Sequence, residues 1–143
     1  MIKNILFLCT GNSARSIIGE AIINNNYKDK FKAYSAGTKP TGIINPYIKK
    51  YLESKNYNLE NYSSKNLNLF LDNSIKMNFV ITVCNNSYYE ICPTWPNKNQ
   101  LIHWDIDDPV QRMNHTNDEN LKKIISKNTF NEINLRIKGL INI

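Results

Sequence analysis

The chain has 143 residues, 18 of them basic and 12 acidic, for a net charge of +6. One hydrophobic core suits this length, so residues 1–143 are expected to form a single domain. The lysines are scattered rather than clustered, which excludes a nucleic-acid footprint and leaves the positive field only the task of attracting small anions.

The longest apolar runs, at residues 5–9 and 79–83, fall far short of the roughly 20 residues that cross a bilayer. The N-terminus leads straight into a strand-like run without the layout of a secretory signal. A cytoplasmic monomer that binds no membrane is therefore expected. Three cysteines cannot form a fully paired disulfide scaffold. The two histidines, His103 and His115, lack the close cysteine partners of a structural zinc site. No metal is expected.

In chain order, residues 2–9 form a short apolar run that predicts a buried strand ending in the turn Thr10-Gly11-Asn12-Ser13. Residues 14–26 carry Ile17, Ile18, Ala21 and Ile22 at helical spacing and end on three asparagines. Residues 31–35 predict a second strand, closed by a Gly-Pro segment at 36–40. Pro46 opens a helix to about residue 55, with Ile48, Tyr51 and Leu52 inward. A short helix is expected over 67–75 and strands over 77–84 and 101–104. A closing helix is expected over 118–141, capped by Asp118, with Leu121, Ile124, Ile125, Ile133, Ile137 and Leu140 as its apolar stripe. Alternating strands and helices imply an α/β fold with a parallel sheet covered on both faces, and a ligand site at the carboxyl ends of the strands. Both Cys9 and Cys84 fall at such ends.

The segment Cys9-Thr10-Gly11-Asn12-Ser13-Ala14-Arg15-Ser16 lies between a strand and a helix. A loop this tight turns its backbone N–H groups toward one centre, and the helix N-terminus behind it adds positive potential. Residues 10–15 are thus the expected oxyanion cradle, with Gly11 expected to let the chain bend close to the anion. Arg15 supplies a planar fork that grips two oxygens of a tetrahedral anion. The same field favours the Cys9 thiolate as nucleophile, and Ser16 can donate a hydroxyl to it.

With these residues, and with 34–38, 45–46, 81–96 and 103–109, the chain resembles the low-molecular-weight tyrosine phosphatase superfamily, and within it the thioredoxin-coupled arsenate reductases. The resemblance implies a three-layer domain around a central four-stranded parallel sheet. It also implies Asp108, in Asp107-Asp108-Pro109, as the acid that protonates the departing oxygen; Asp107 is the fallback and Asp105 an ordinary loop residue. Cys84 and Cys92 flank a polar segment that looks like the reductase redox segment. Phosphatases of this superfamily usually carry a second cysteine in the anion loop and a tyrosine pair after Asp-Pro, where this chain has Ala14 and Val110-Gln111.

The reaction so implied begins with Cys9 attacking arsenate. Cys84 then attacks the Cys9 sulfur and arsenite leaves, after which Cys92 attacks Cys84. Thioredoxin or a similar external dithiol would reduce the last disulfide, no cofactor would stay bound, and phosphate would compete as an oxyanion. A rigid helix would hold Cys84 and Cys92 about 12 Å apart, whereas a disulfide needs their Cα atoms within about 7 Å, so that step predicts motion. Asn12 and Ser35 look like braces of the loop, joined by Glu20 near a place that holds potassium in one subgroup. There Lys65 would supply an ammonium instead, and no potassium dependence is expected. Two other readings use the same residues: a phosphatase of phosphotyrosine or small phosphates with a redox-guarding cysteine pair, and a non-catalytic redox module. Weak phosphatase activity is expected even in a reductase.

Overall fold

A computed structural model describes residues 1–72, 74–85 and 94–142. Cys92 and most of the polar segment before it lie outside the described residues. Four parallel strands stand in the order β2-β1-β3-β4: β1 is Lys3–Cys9, β2 Phe31–Gly37, β3 Phe79–Thr82 and β4 Leu101–His103. The helices are α1 (Arg15–Asn26), α2 (Pro46–Ser54), α3 (Pro109–Asn114) and α4 (Glu119–Ile141). This is the expected four-stranded parallel α/β domain.

The central strand β1 is apolar on both sides because both sides are covered. Ile5 and Phe7 point into the larger core, with Ile17, Ile18, Ile48, Leu52, Met113, Ile133 and Ile137 from all four helices. Leu6 and Leu8 point the other way, into a cluster with Leu67, Phe70, Met77, Val80 and Trp95. Residues 5–8 are fully buried, each contributing about 1.5–3 kcal/mol of hydrophobic stabilisation. α1 approaches β1 closely because Gly19 has no side chain: a Cβ there would stand 2.6 Å from the Phe7 ring.

Several expected boundaries move. The helix expected over 67–75 is one 3-10 turn, Leu67–Phe70. Beyond it Asp72 accepts a hydrogen bond from the Ser74 amide at 3.0 Å, a local bond that competes with helix continuation. The third strand covers only Phe79–Thr82, and the second runs on to Gly37 because it pairs with β1 as far as Cys9. α3 adds to the expected elements, although Asp108-Pro109 is a helix start: Asp108 caps the Val110 amide at 3.0 Å and Pro109 occupies the first turn. Asp118 does cap α4, accepting from the amides of Asn120 and Leu121. The stripe of α4 is rotated from the expected one, so that Leu121 and Ile124 are exposed while Ser126, Thr129 and Phe130 are buried. Burial of those two hydroxyls is possible because each donates to a carbonyl four residues earlier, Lys122 and Ile125. No helix among the described residues is long and apolar enough to cross a membrane.

Candidate active site

The carboxyl end of β1 delivers Cys9 to the bottom of a pocket of about 350 Å³, lined by the anion loop, Lys39, Thr41, Asp108, Val110 and Gln111. A larger cleft of about 790 Å³ lies between residues 42–44 and 49–64, but Cys9, Arg15 and Asp108 do not line it. The smaller one holds the chemistry.

The loop's shape follows from where its carbonyls go. Those of Cys9, Thr10 and Gly11 accept from the amides of Thr38, Lys39 and Thr41 at 3.3, 2.9 and 3.0 Å, and that of Ser13 accepts from the Asn45 amide at 2.9 Å. The Ser64 hydroxyl also donates to Gly11 O at 3.1 Å. With the carbonyls held outward by the segment after β2, the loop N–H groups turn inward. α1 begins at Arg15 with Ala14 as its cap residue and no side-chain cap, which leaves the positive end of the helix to an anion in the pocket.

Cys9 is a free thiol, 2 % exposed. Its Sγ accepts from the Asn12 amide at 3.2 Å and lies 2.9 Å from Ser16 Oγ. Both contacts fix the position of the sulfur at the floor of the loop. Asn12 is the hinge of the loop. Its φ of 47° is left-handed, a conformation asparagine tolerates better than most residues. Its side-chain NH₂ donates to Ser16 Oγ at 2.7 Å, and its Oδ1 accepts from the Lys65 amide at 2.8 Å. The bend expected at Gly11 thus falls one residue later. A Cβ at Gly11 would meet its nearest neighbour, Thr41, at 3.4 Å, so space does not demand glycine there.

Arg15 is buried and donates to the carbonyl of Ile106 at 3.0 Å, with Asp108 Oδ2 3.8 Å from its guanidinium. Asp108, 30 % exposed in its side chain, therefore faces the pocket with one oxygen while the other caps α3. Asp107 is turned to Asn85, which donates to its carboxylate. Thr10, Ser13 and Ala14 complete the wall. Ser35 does not reach Asn12; its hydroxyl donates to Glu20 at 2.5 Å. The bracing contact to Asn12 comes instead from the Lys65 amide. The Lys65 ammonium donates to Ser63 O at 2.7 Å, and its positive charge acts on Glu20.

Burial raises the pKa of Glu20 above its ordinary 4.5, opposed by Lys65 and by the Ser35 hydroxyl. Burial lowers that of Lys65, opposed by Glu20. A carboxyl whose folded pKa is raised stabilises the fold fully below its unfolded pKa and loses that contribution as pH rises through the folded value. Denaturant titrations from pH 4 to 8 are therefore expected to show wild type losing stability relative to Glu20→Gln as pH rises. Parallel curves would mean that Glu20 is not strained by burial.

Cys84 lies just past β3, whose Thr82 pairs with Leu8 and whose following amide, Val83, donates to Leu8 O at 2.8 Å. Cys84 is fully buried and disulfide-bonded. Adjacent parallel strands thus bring Cys9 and Cys84 to the same end of the sheet. Sequence reasoning missed Lys39 and Thr41 in the wall, the Ile106 carbonyl that orients Arg15, and Ser64. None belongs to the Cys-to-Ser loop, so only the fold could gather them. Among the described residues no group of three or more His, Cys, Asp or Glu side chains could hold a metal ion.

The family model for low molecular weight phosphotyrosine protein phosphatase matches residues 4–141. An arsenate reductase of Bacillus cereus (strain G9842) is 36% identical over 108 residues, 76% of this chain and 78% of that protein. A similar protein of Bacillus anthracis (strain A0248), also an arsenate reductase, is 35% identical over the same length. Among solved structures, the arsenate reductase of Archaeoglobus fulgidus superposes with a TM-score of 0.75 at 23% identity, covering 97% of this chain and 99% of that one. The thioredoxin-dependent arsenate reductase of Corynebacterium glutamicum gives 0.66 at 22%, covering 96% and 61%. The chain belongs to the low molecular weight phosphotyrosine protein phosphatase family and, within it, groups with these Bacillus arsenate reductases.

Proposed function

We propose that the protein reduces arsenate to arsenite through a relay of Cys9, Cys84 and Cys92. The observation that carries this reading is the pairing of a free, buried Cys9 in an oxyanion cradle with a disulfide-bonded Cys84 at the end of the neighbouring strand. Similarity to the Bacillus arsenate reductases supports it.

Cys9 thiolate attacks the arsenic of arsenate, a proton passes to an oxygen that leaves as water, and the adduct rests on the loop amides and Arg15. Asp108 is the proton donor, since one of its oxygens faces the pocket near Arg15. Cys84 thiolate then attacks the Cys9 sulfur. The S–As bond breaks, its electron pair goes to arsenic, and arsenite leaves behind a Cys9–Cys84 disulfide. Cys92 attacks Cys84 and frees Cys9, so that the oxidised pair becomes Cys84 and Cys92. A free Cys9 beside an oxidised Cys84 is the state expected at the end of this sequence. A dithiol protein of the thioredoxin kind resets it, and phosphate, bound by a structurally similar arsenate reductase, competes for the loop.

Asn12, Ser35, Glu20 and Lys65 serve as loop support. The Glu20 carboxylate already has the Ser35 hydroxyl and the Lys65 charge, so a resident potassium ion would bring a second cation to one carboxylate and does not fit. Turnover is thus independent of potassium.

The test is arsenate-dependent NADPH oxidation coupled through thioredoxin and thioredoxin reductase. Steady consumption that requires arsenate is the expected result. Hydrolysis of an aryl phosphate without arsenate reduction would replace the proposal with a phosphatase.

A further inference from the structure

The anion pocket is lined by a basic residue that the mechanism above does not use. Lys39 lines the same pocket as Cys9, Arg15 and Asp108, and its backbone amide is fixed to the loop through the 2.9 Å bond to Thr10 O. Its stem therefore starts from the rim of the cradle rather than from a distant surface. Unlike Arg15, which is buried and already bonded to Ile106 O, Lys39 is exposed.

The charges make a second cation useful. A doubly charged tetrahedral oxyanion approaching the Cys9 thiolate brings three negative charges together, and Asp108 can contribute a fourth while it is ionised. Arg15 supplies one positive charge and the helix N-terminus about half of another. We propose that Lys39 is an affinity-determining residue of the oxyanion site, drawing the dianion into the pocket and balancing the charge that Arg15 leaves. The ligand class this favours is a doubly charged tetrahedral oxyanion, tested here with inorganic phosphate. The proposal deepens the reading of the site given above and rests on it for the identity of that anion.

Calorimetric titration of the reduced protein with inorganic phosphate tests this without any turnover. At about 20 mM ionic strength, Lys39→Ala is expected to weaken phosphate about threefold and Lys39→Glu about tenfold, the scale of an exposed charge pair and its reversal. Lys39→Arg should bind as wild type does. The differences should shrink severalfold at about 0.5 M salt, where the screening length falls to a few ångströms. Because Thr10 is held by the backbone of Lys39, thermal midpoints should stay together across the series. In the coupled assay, KM for arsenate should follow the phosphate affinities while kcat holds. Equal phosphate affinity in wild type and Lys39→Glu, or a loss that salt leaves untouched, overturns the proposal. Wild type that binds phosphate in a Lys39-dependent way but never reduces arsenate would leave Lys39 in place and sink the reductase reading instead.

Discussion

Replacing Cys9 by serine is expected to lower arsenate turnover by at least about four orders of magnitude, the scale seen when a covalent catalyst loses its nucleophile. Serine is slightly smaller and still able to hydrogen-bond, but its hydroxyl cannot form the sulfur–sulfur bond through which the electron pair reaches arsenic. The two other cysteines should fail differently, and a single-turnover experiment on pre-reduced protein separates them. Cys84→Ser should release no arsenite, because nothing attacks the adduct on Cys9. Cys92→Ser should release close to one equivalent and stop with Cys9 and Cys84 joined, a species that thiol labelling and peptide mapping can count. Full steady turnover by either Cys84→Ser or Cys92→Ser would sink the relay, whereas its loss in Cys9→Ser alone would point to phosphatase-type chemistry.

The parts of this site written consecutively in the chain are legible in the amino-acid order alone. Cys9, Arg15 and Ser16 sit within eight residues, and a strand before them and a helix after them allow few arrangements other than a cradle. The apolar run at residues 5–8 likewise reads as a doubly covered strand, because only burial on both faces tolerates such a run. Other features depend on contacts between segments far apart in sequence. The Ile106 carbonyl that holds Arg15 is 91 residues away, and the Lys65 amide that holds Asn12 is 53 away. Resemblance pairs Ser35 with Asn12, yet the Ser35 hydroxyl is taken by Glu20, the stronger acceptor within reach. The α4 stripe misleads for a simpler reason. Ser126 and Thr129 count as polar in a periodicity, but each satisfies its hydroxyl on its own helix and is then free to face the core.

Adding one methyl group at Gly37 is expected to disable the site from behind. Gly37 ends β2 directly opposite Cys9 in the sheet register, and its amide donates to Lys65 O at 2.9 Å. A Cβ there would collide with the Thr10 carbonyl oxygen and stand 3.1 Å from both the amide nitrogen and the Cβ of Asn12. These are main-chain atoms or fixed to them, so relief requires the cradle itself to move. The constraint is one of space rather than backbone conformation, since Gly37 is not among the residues with positive φ. Overpacking of this kind costs about 1–3 kcal/mol of stability. The effect on chemistry should be larger, because a displacement of about 1 Å in a positioning element lowers rates by about 100-fold. Gly37→Ala should therefore remain folded below its lowered thermal midpoint yet reduce arsenate about 100-fold more slowly. Gly11→Ala, where the added Cβ has 3.4 Å to its nearest neighbour, should lose far less although it lies within the loop. If Gly37→Ala proved as active as wild type, the loop would be compliant rather than clamped between β2 and Asn12, and the preorganisation assigned to its outward-bonded carbonyls would have to come from the bound anion instead.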